Sequence, residues 1–386
     1  MFNIIILGIT SLLTDISSEM VYPLLPIYLV NRLGVSPAIL GLIEGIAEST
    51  ASIAKVFFGY FSDRLKKRKP FALLGYSLSC LGKFFLYISN SWGMVFTARF
   101  VDRLGKGVRV AARDALIAES SHHKRRGHSF GLHRAMDTLG AVVGIILAMY
   151  FLEKYKGEFN TVFLVSLVPA ALGVLILLKV REKVSREPAL SAATNRFSPQ
   201  EMLRSFKGLD KRLKAFLLIA FIFNLGNSSN QFLVLRAKNL GFSLISVIAM
   251  YLLYNATYAL TSYPAGRISD IIGRKKILVL GYLFYGLVYF GFAKIGGADN
   301  FIWFLFGLYG LYMGFTEGVE KAYVSDIAPQ DSRATLIGLH ATLVGLALLP
   351  ASLLAGILWK AFGASMPFWF GGAMGVLASA GLALFI

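Results

Sequence analysis

Charged side chains recur in this chain at helical spacing inside long apolar runs, where charge is costly and usually functional. Asp15 and Glu19 stand four residues apart, with Ser18, Tyr22 and Pro26 on the same stripe. Glu44, Glu48 and Lys55 share one side of the next run. At about 100° per residue, Arg99, Asp102, Arg103, Lys106, Arg109, Arg113 and Asp114 fit within an arc of about 140°. A fifth run aligns Arg126, His133 and Asp137 with Gly140 and Gly144, and a late one carries Glu317, Glu320 and Lys321. Paired carboxylates in a water-poor interior suit proton transfer, because burial and a like charge both favour the neutral acid. The same carboxylates, neutralised by the arginines of the fourth run, would instead form a permanent ion-pair network. Residue types alone leave both readings open.

Uncharged chemistry is concentrated at Asn224, Asn227, Ser228, Ser229, Asn230 and Gln231. Such a cluster hydrogen-bonds a polar substrate or satisfies the backbone where a helix bends. Tyr22, Asn224, Asn227, Asn230 and Gln231 are accordingly the candidate substrate-cavity residues. His122, His123 and His128 lie beside Lys124, Arg125 and Arg126, which repel cations, so no metal site is expected. His133 and His340 are expected to hydrogen-bond near a gate. The single cysteine, Cys80, excludes an internal disulfide and a cysteine-rich metal site. No Gly-x4-Gly-Lys-[Ser/Thr] loop is present, so no nucleotide cofactor is expected and energy would come from an ion gradient.

The elements that must position these groups follow from composition. The 386 residues are 56% hydrophobic and 16% charged, with a mean hydropathy of +0.64. Soluble domains carry about 25% charged residues, so this is a membrane protein and not a soluble enzyme. One span with its connector takes about 32 residues, which gives about twelve crossings. Apolar runs are read at about 3–30, 37–61, 71–90, 93–118, 128–152, 160–178, 215–236, 244–267, 277–293, 300–325, 335–359 and 366–386. Asp15 and Glu19 interrupt the first run and eleven spans follow it, which argues against a cleaved signal. The net charge of +18 sits in short connectors rather than on a basic helix, so no nucleic-acid partner is expected. A long basic connector divides the chain into bundles at 1–180 and 214–386, joined by 181–213. Lys and Arg collect in the even-numbered connectors, which places these and both termini in the cytoplasm of a plasma-membrane protein, against an anionic leaflet.

The halves repeat one another. At an offset of 207, Gly34 meets Gly241, Ser36 meets Ser243, Gly59 meets Gly266, Asp63 meets Asp270, Gly107 meets Gly314 and His133 meets His340. Six spans in each half make the repeat parallel, the pattern of transporters with a site at the repeat interface. The duplicated loops read Gly59-x3-Asp63-Arg64-x-Lys66-Lys67-Arg68-Lys69 and Gly266-x3-Asp270-x2-Gly273-Arg274-Lys275-Lys276. They resemble the signature loop of the major facilitator superfamily, and the resemblance covers the whole chain.

That resemblance implies an all-α fold of twelve transmembrane helices in two pseudo-symmetric six-helix bundles. Spans 1, 2, 4, 5, 7, 8, 10 and 11 would line the cavity and 3, 6, 9 and 12 would face lipid. Asp63 would latch the halves on the cytoplasmic side, with Gly59, Arg64, Arg68, Lys69, Gly266, Asp270, Arg274 and Lys275 completing the gate loops. Arg103 and Gly107 resemble a family pattern linked to proton coupling, and Gly131, Gly140 and Gly144 part of its antiporter signature. The implied activity is proton-coupled export of a small molecule by a monomer. Proton-coupled uptake of a polar or anionic solute is the alternative, and a membrane sensor the alternative of another class. The 207 offset also pairs Arg113 with Glu320 and Asp114 with Lys321, so an ion network between the halves is expected there.

Overall fold

The computed structural model describes residues 2–65, 67–121, 126–182, 210–328 and 333–386. His122 and His123, the side chains of Asp63, Arg64, Arg126 and His128, and most of the central connector lie outside the described residues. Twelve helical spans run in chain order: α1 (Phe2–Arg32), α2 (Pro37–Leu65), α3 (Lys69–Tyr87), α4 (Trp92–Ser120), α5 (Arg126–Lys154) and α6 (Phe159–Leu177), then α7 (Lys211–Asn239), α8 (Leu244–Ile272), α9 (Arg274–Lys294), α10 (Phe301–Ile327), α11 (Arg333–Phe362) and α12 (Met366–Phe385). Among the described residues, eight are long and apolar enough to cross a bilayer by composition alone. The other four are α2, α3, α4 and α10, all of which carry charges into the interior.

Local sequence explains where these helices start, bend and stop. Ser91 and Ser243 cap α4 and α8 by accepting from the amides of Met94 and Ser246 at 3.4 and 3.1 Å. Gly273 separates α8 from α9 at φ +101°, a conformation that disfavours any side chain, so α9 begins at the very next residue. Pro23 and Pro26 force α1 through a 3-10 turn and then a π-helical stretch at Tyr28–Arg32. The α7 helix breaks between Gly226 and Gln231. There Tyr285 donates to the Gly226 carbonyl at 2.9 Å, and the Ser229 amide donates to Ser352 Oγ at 3.2 Å.

Helix packing repeats as the sequence does. In the first half α1 packs on α5 and α6, α2 on α4, and α3 on α4 and α6; the second half repeats this as α7 on α11 and α12, α8 on α10, and α9 on α10 and α12. The glycine pair is the visible reason. A side chain on Gly107 would strike the α2 backbone beside Ala51 and Ala54, and one on Gly314 would strike Thr261, the repeat partner of Ala54. Gly140 and Gly144 bring α5 onto the backbone of Leu12 and Ile16 in α1. Gly144→Val is expected to force these helices apart at a cost of about 1–3 kcal/mol. A clear drop in the thermal midpoint of the detergent-purified protein would check this, with Gly144→Ala intermediate.

The halves meet along α2 and α11 and, less extensively, along α5 and α8. Gly41, Gly45 and Gly356 lie where the backbones of α2 and α11 touch. The outer segments of α1 and α7 also meet. Tyr22 and Ser229, equivalent under the 207 offset, bring their hydroxyls within 3.4 Å. Equivalent residues touch only on the pseudo-twofold axis, so this contact marks its course. The contacts at Gly41, Gly45 and Gly356 and between Tyr22 and Ser229 lie toward the end of the bundle remote from the Lys/Arg-rich connectors.

Candidate functional site

Two cavities share Asp15 as a lining residue. A narrow chamber of about 60 Å³ is enclosed by α1, α3 and α4, with Asp15, Glu19, Lys83, Arg99, Asp102, Arg103, Lys106 and Arg109 on its wall. A wider cavity of about 370 Å³ lies between the halves, bounded by Asp15, Arg134 and Asp137 from the first and by Asn255, Tyr258, Gly266, Glu317 and Lys321 from the second. Cavities of about 300–1,000 Å³ suit small-molecule ligands. The wider one lies in the part of the bundle that adjoins the basic connectors.

Ionic pairing divides the charged residues into two sets. Arg99 grips Glu44 in a bidentate pair, with both nitrogen–oxygen distances 2.8 Å. Arg103 reaches Glu48 at 2.9 Å, and Lys83 reaches Asp102 at 3.0 Å. These ion pairs join α4 to α2 and α3, so Glu44 and Glu48 are both held by arginines in this conformation. Asp15 has no hydrogen bond or ion pair among the described residues, and neither has Lys106, which is exposed to the chamber. Glu19 accepts a hydrogen bond from Tyr251 in α8 at 2.9 Å, across the boundary between the halves. Arg109 is buried, donates to Ser79 Oγ at 2.5 Å and lies over the Tyr76 ring, with its Nε unpartnered. Tyr22 presents its ring to both Arg99 and Arg103, at 5.3 and 5.4 Å.

Other predicted residues take different positions. Arg113 pairs with its neighbour Asp114 at 2.8 Å and approaches Ser11. Glu320 accepts from Tyr282 at 2.9 Å and stands 3.4 Å from His340, while Lys321 pairs with Glu317 at 3.3 Å. The expected network between Arg113/Asp114 and Glu320/Lys321 is therefore absent among the described residues in this conformation. Each group finds its partner within its own half. Asp137 lines the wider cavity, and its carboxylate stands 3.6 Å from His133 Nδ1 on the same helix.

The amides of α7 line neither cavity. Asn224 donates to the Ala220 carbonyl, Asn227 to Tyr312, and Asn230 to Tyr254 while accepting from Tyr309. Gln231 is fully buried with its amide unpartnered. These residues serve the helix break and tie it to tyrosines of α8 and α10.

Arg68, Lys69, Arg274 and Lys275 of the gate loops make contacts within their own halves. The Arg68 side chain contacts Ser62 and Glu119, and Lys69 donates to the Leu178 carbonyl. Arg274 bridges Asp270 and Asp326 at 3.1 and 2.5 Å, and Lys275 donates to the Ala383 carbonyl. Gly59 approaches Ala111, whereas Gly266 faces open space.

The sequence-family model of the Major Facilitator Superfamily matches residues 7–251 and 215–386. The chain belongs to the major facilitator superfamily. It is a multi-pass membrane transporter and not an enzyme, as the composition and repeat predict. An uncharacterized MFS-type transporter of Methanocaldococcus jannaschii, MJ1317, is 41% identical over 100% of this chain and 94% of its own length. Multidrug resistance protein MdtH of Salmonella typhi is 23% identical over 84% of this chain and 78% of its own. In structure, the nucleoside transporter NupG superposes with a TM-score of 0.81 at 14% identity, over 100% of this chain and 99% of that one. At that identity the likeness concerns the fold.

Within this MFS fold the sequence reading misses a group that links the halves beside the wider cavity. Arg134 of α5 donates to Tyr258 of α8 at 3.2 Å, and Tyr258 donates in turn to Glu317 of α10. Arg134 is the immediate neighbour of His133, so its basic charge one residue off the chosen stripe is the signal available. Tyr258 and Tyr251 count as apolar in a hydropathy pattern, and nothing in the pattern marks their hydroxyls.

Proposed function

We propose that this transporter exports a small molecule across the plasma membrane in exchange for protons, with Asp15 as the proton carrier. The observation that carries the reading is the position of Asp15, an ion-pair-free carboxylate shared by the chamber and the wider cavity. A carboxylate already locked to arginine, such as Glu44, has no comparable freedom to exchange a proton. The name of the MdtH relative supports export. Bundles 1–180 and 214–386 act as the two rocking bodies, with 181–213 as their tether. The basic connectors beside the wider cavity support a cytoplasmic side for it and for both termini, and with it an inward-open reading of this conformation. Asp63 latches the halves in the opposite state.

Proteoliposomes with an internal pH dye test this reading. Compounds from a panel of organic cations, anions and zwitterions should evoke proton movement opposite to their own, and Asp15→Asn should abolish it. Compound-evoked proton movement that survives Asp15→Asn would remove Asp15 from the proton path. The second reading, uptake by symport, is favoured by Lys106 and Arg109, which have no carboxylate partner among the described residues. Proton movement in the same direction as the compound would establish it.

A further inference from the structure

Charge accounting in the narrow chamber leaves a specific remainder. Five cations, Lys83, Arg99, Arg103, Lys106 and Arg109, stand with five carboxylates, Asp15, Glu19, Glu44, Glu48 and Asp102. Three pairs, Arg99–Glu44, Arg103–Glu48 and Lys83–Asp102, cancel internally. Two cations and two carboxylates remain without ionic partners, all four on the chamber wall. An excess of cations would select an anion, and an excess of carboxylates a cation; equal numbers of both select a ligand that carries both.

We infer that the chamber is a subsite for the zwitterionic end of a small molecule, with its carboxylate on Lys106 and Arg109 and its ammonium on Asp15. Burial favours this use of Arg109. Arg109 is 5% exposed, its Nε has no partner among the described residues, and an unmet buried donor is expensive unless a ligand meets it. Lys106 supplies a mobile ammonium at the mouth of the same space. A chamber of about 60 Å³ holds a charged end group and little more, and Asp15 also lines the 370 Å³ cavity, which would take the body of the ligand. The inference rests on the transport site proposed above and names its substrate class. It also supplies a reason for exchange, since ammonium and proton compete for one carboxylate. Glu19, Asp137, Lys106 and Arg109 are the charged groups that set the field at Asp15.

Matched ligand triplets test it. The purified full-length protein is titrated with a set of free amino acids, their methyl esters and their N-acetyl derivatives, with thermal stabilisation as the readout. Free amino acids should stabilise the protein, and the ester and the N-acetyl form of each should bind at least about tenfold more weakly. Lys106→Gln should weaken amino-acid binding by at least about tenfold, and Lys106→Glu should turn the preference toward the ester. Because Lys106 has no hydrogen bond or ion pair among the described residues, both variants should fold. Esters or N-acetyl forms that bind as tightly as the free amino acid would overturn the inference. So would unchanged affinity in Lys106→Gln, or no stabilisation by any free amino acid. Proton movement separates the two proposals. Amino acids that bind but move no protons leave the subsite standing and sink antiport, whereas esters that alone evoke proton movement do the reverse.

Discussion

Arg99→Leu is expected to destabilise the folded protein by about 3–5 kcal/mol, enough to remove most of a membrane protein from the monodisperse fraction. Glu44 is 0% exposed and Arg99 5%, and the two share a bidentate contact. Removing the guanidinium strands a carboxylate that water cannot reach. Arg103 and Lys83 could take over only by abandoning Glu48 and Asp102. The double variant Arg99→Met with Glu44→Met removes both charges and keeps the volume, so it should recover most of the loss. Thermal unfolding of the two single variants and the double variant, treated as a cycle, checks this. Single variants that lose no more than the double would show that the pair carries little of the stability. The control is Asp15→Asn, which breaks no ion pair and should leave the midpoint near that of the parent.

The contrast between Glu44 and Asp15 marks how far sequence reasoning reaches. Twelve spans are legible because an apolar run of membrane length has few other uses. The bounds differ by a few residues where charge tapers into the headgroup region, as at Leu65 and Ser120. The repeat is legible because Gly107 and Gly314 are held by the same steric need at equivalent crossings. Helical periodicity also gives the correct face for Asp15, Glu19, Arg103 and Lys106, which meet at the chamber. It gives no partner for any of them. Glu44 and Glu48 find arginines while Asp15 finds none, and that difference depends on depth and crossing geometry between helices far apart in sequence. The same gap explains Arg113 and Glu320. Their complementarity under the repeat offset is real, but in this conformation a cavity stands between the halves and each is satisfied at home. The polar stretch of α7 misleads for a related reason. A helix break needs hydrogen-bonding side chains as much as a substrate does, and only Tyr254, Tyr309 and Tyr312 across the bundle reveal which need they meet here.

Gly41→Leu should have the largest effect on conformation, because it acts where the two halves touch by backbone. A side chain at Gly41 would lie on the Ser352 carbonyl, and one at Gly45 would stand 2.9 Å from the Leu349 Cα. Neither obstacle can rotate away as a side chain would. The substitution must therefore separate α2 from α11 at the end where the halves are closed, or distort one of the helices. Separation is the cheaper response, since a transporter already possesses a state in which this end opens. An overpacking cost of about 1–3 kcal/mol falls on the closed state alone and shifts the equilibrium by about five- to more than a hundredfold. Cys80 is the single native cysteine, so a Cys80→Ser background accepts spin labels at Arg32→Cys and Asn239→Cys, at the exposed outer ends of α1 and α7. The distance between them should lengthen in Gly41→Leu, and transport should fall steeply although the protein remains folded. An unchanged distance with full transport would mean that the glycine seam of α2 and α11 does not set which end is closed. Gly41→Ala provides the graded case, since its single methyl meets the same carbonyl and a smaller shift in the same direction is expected.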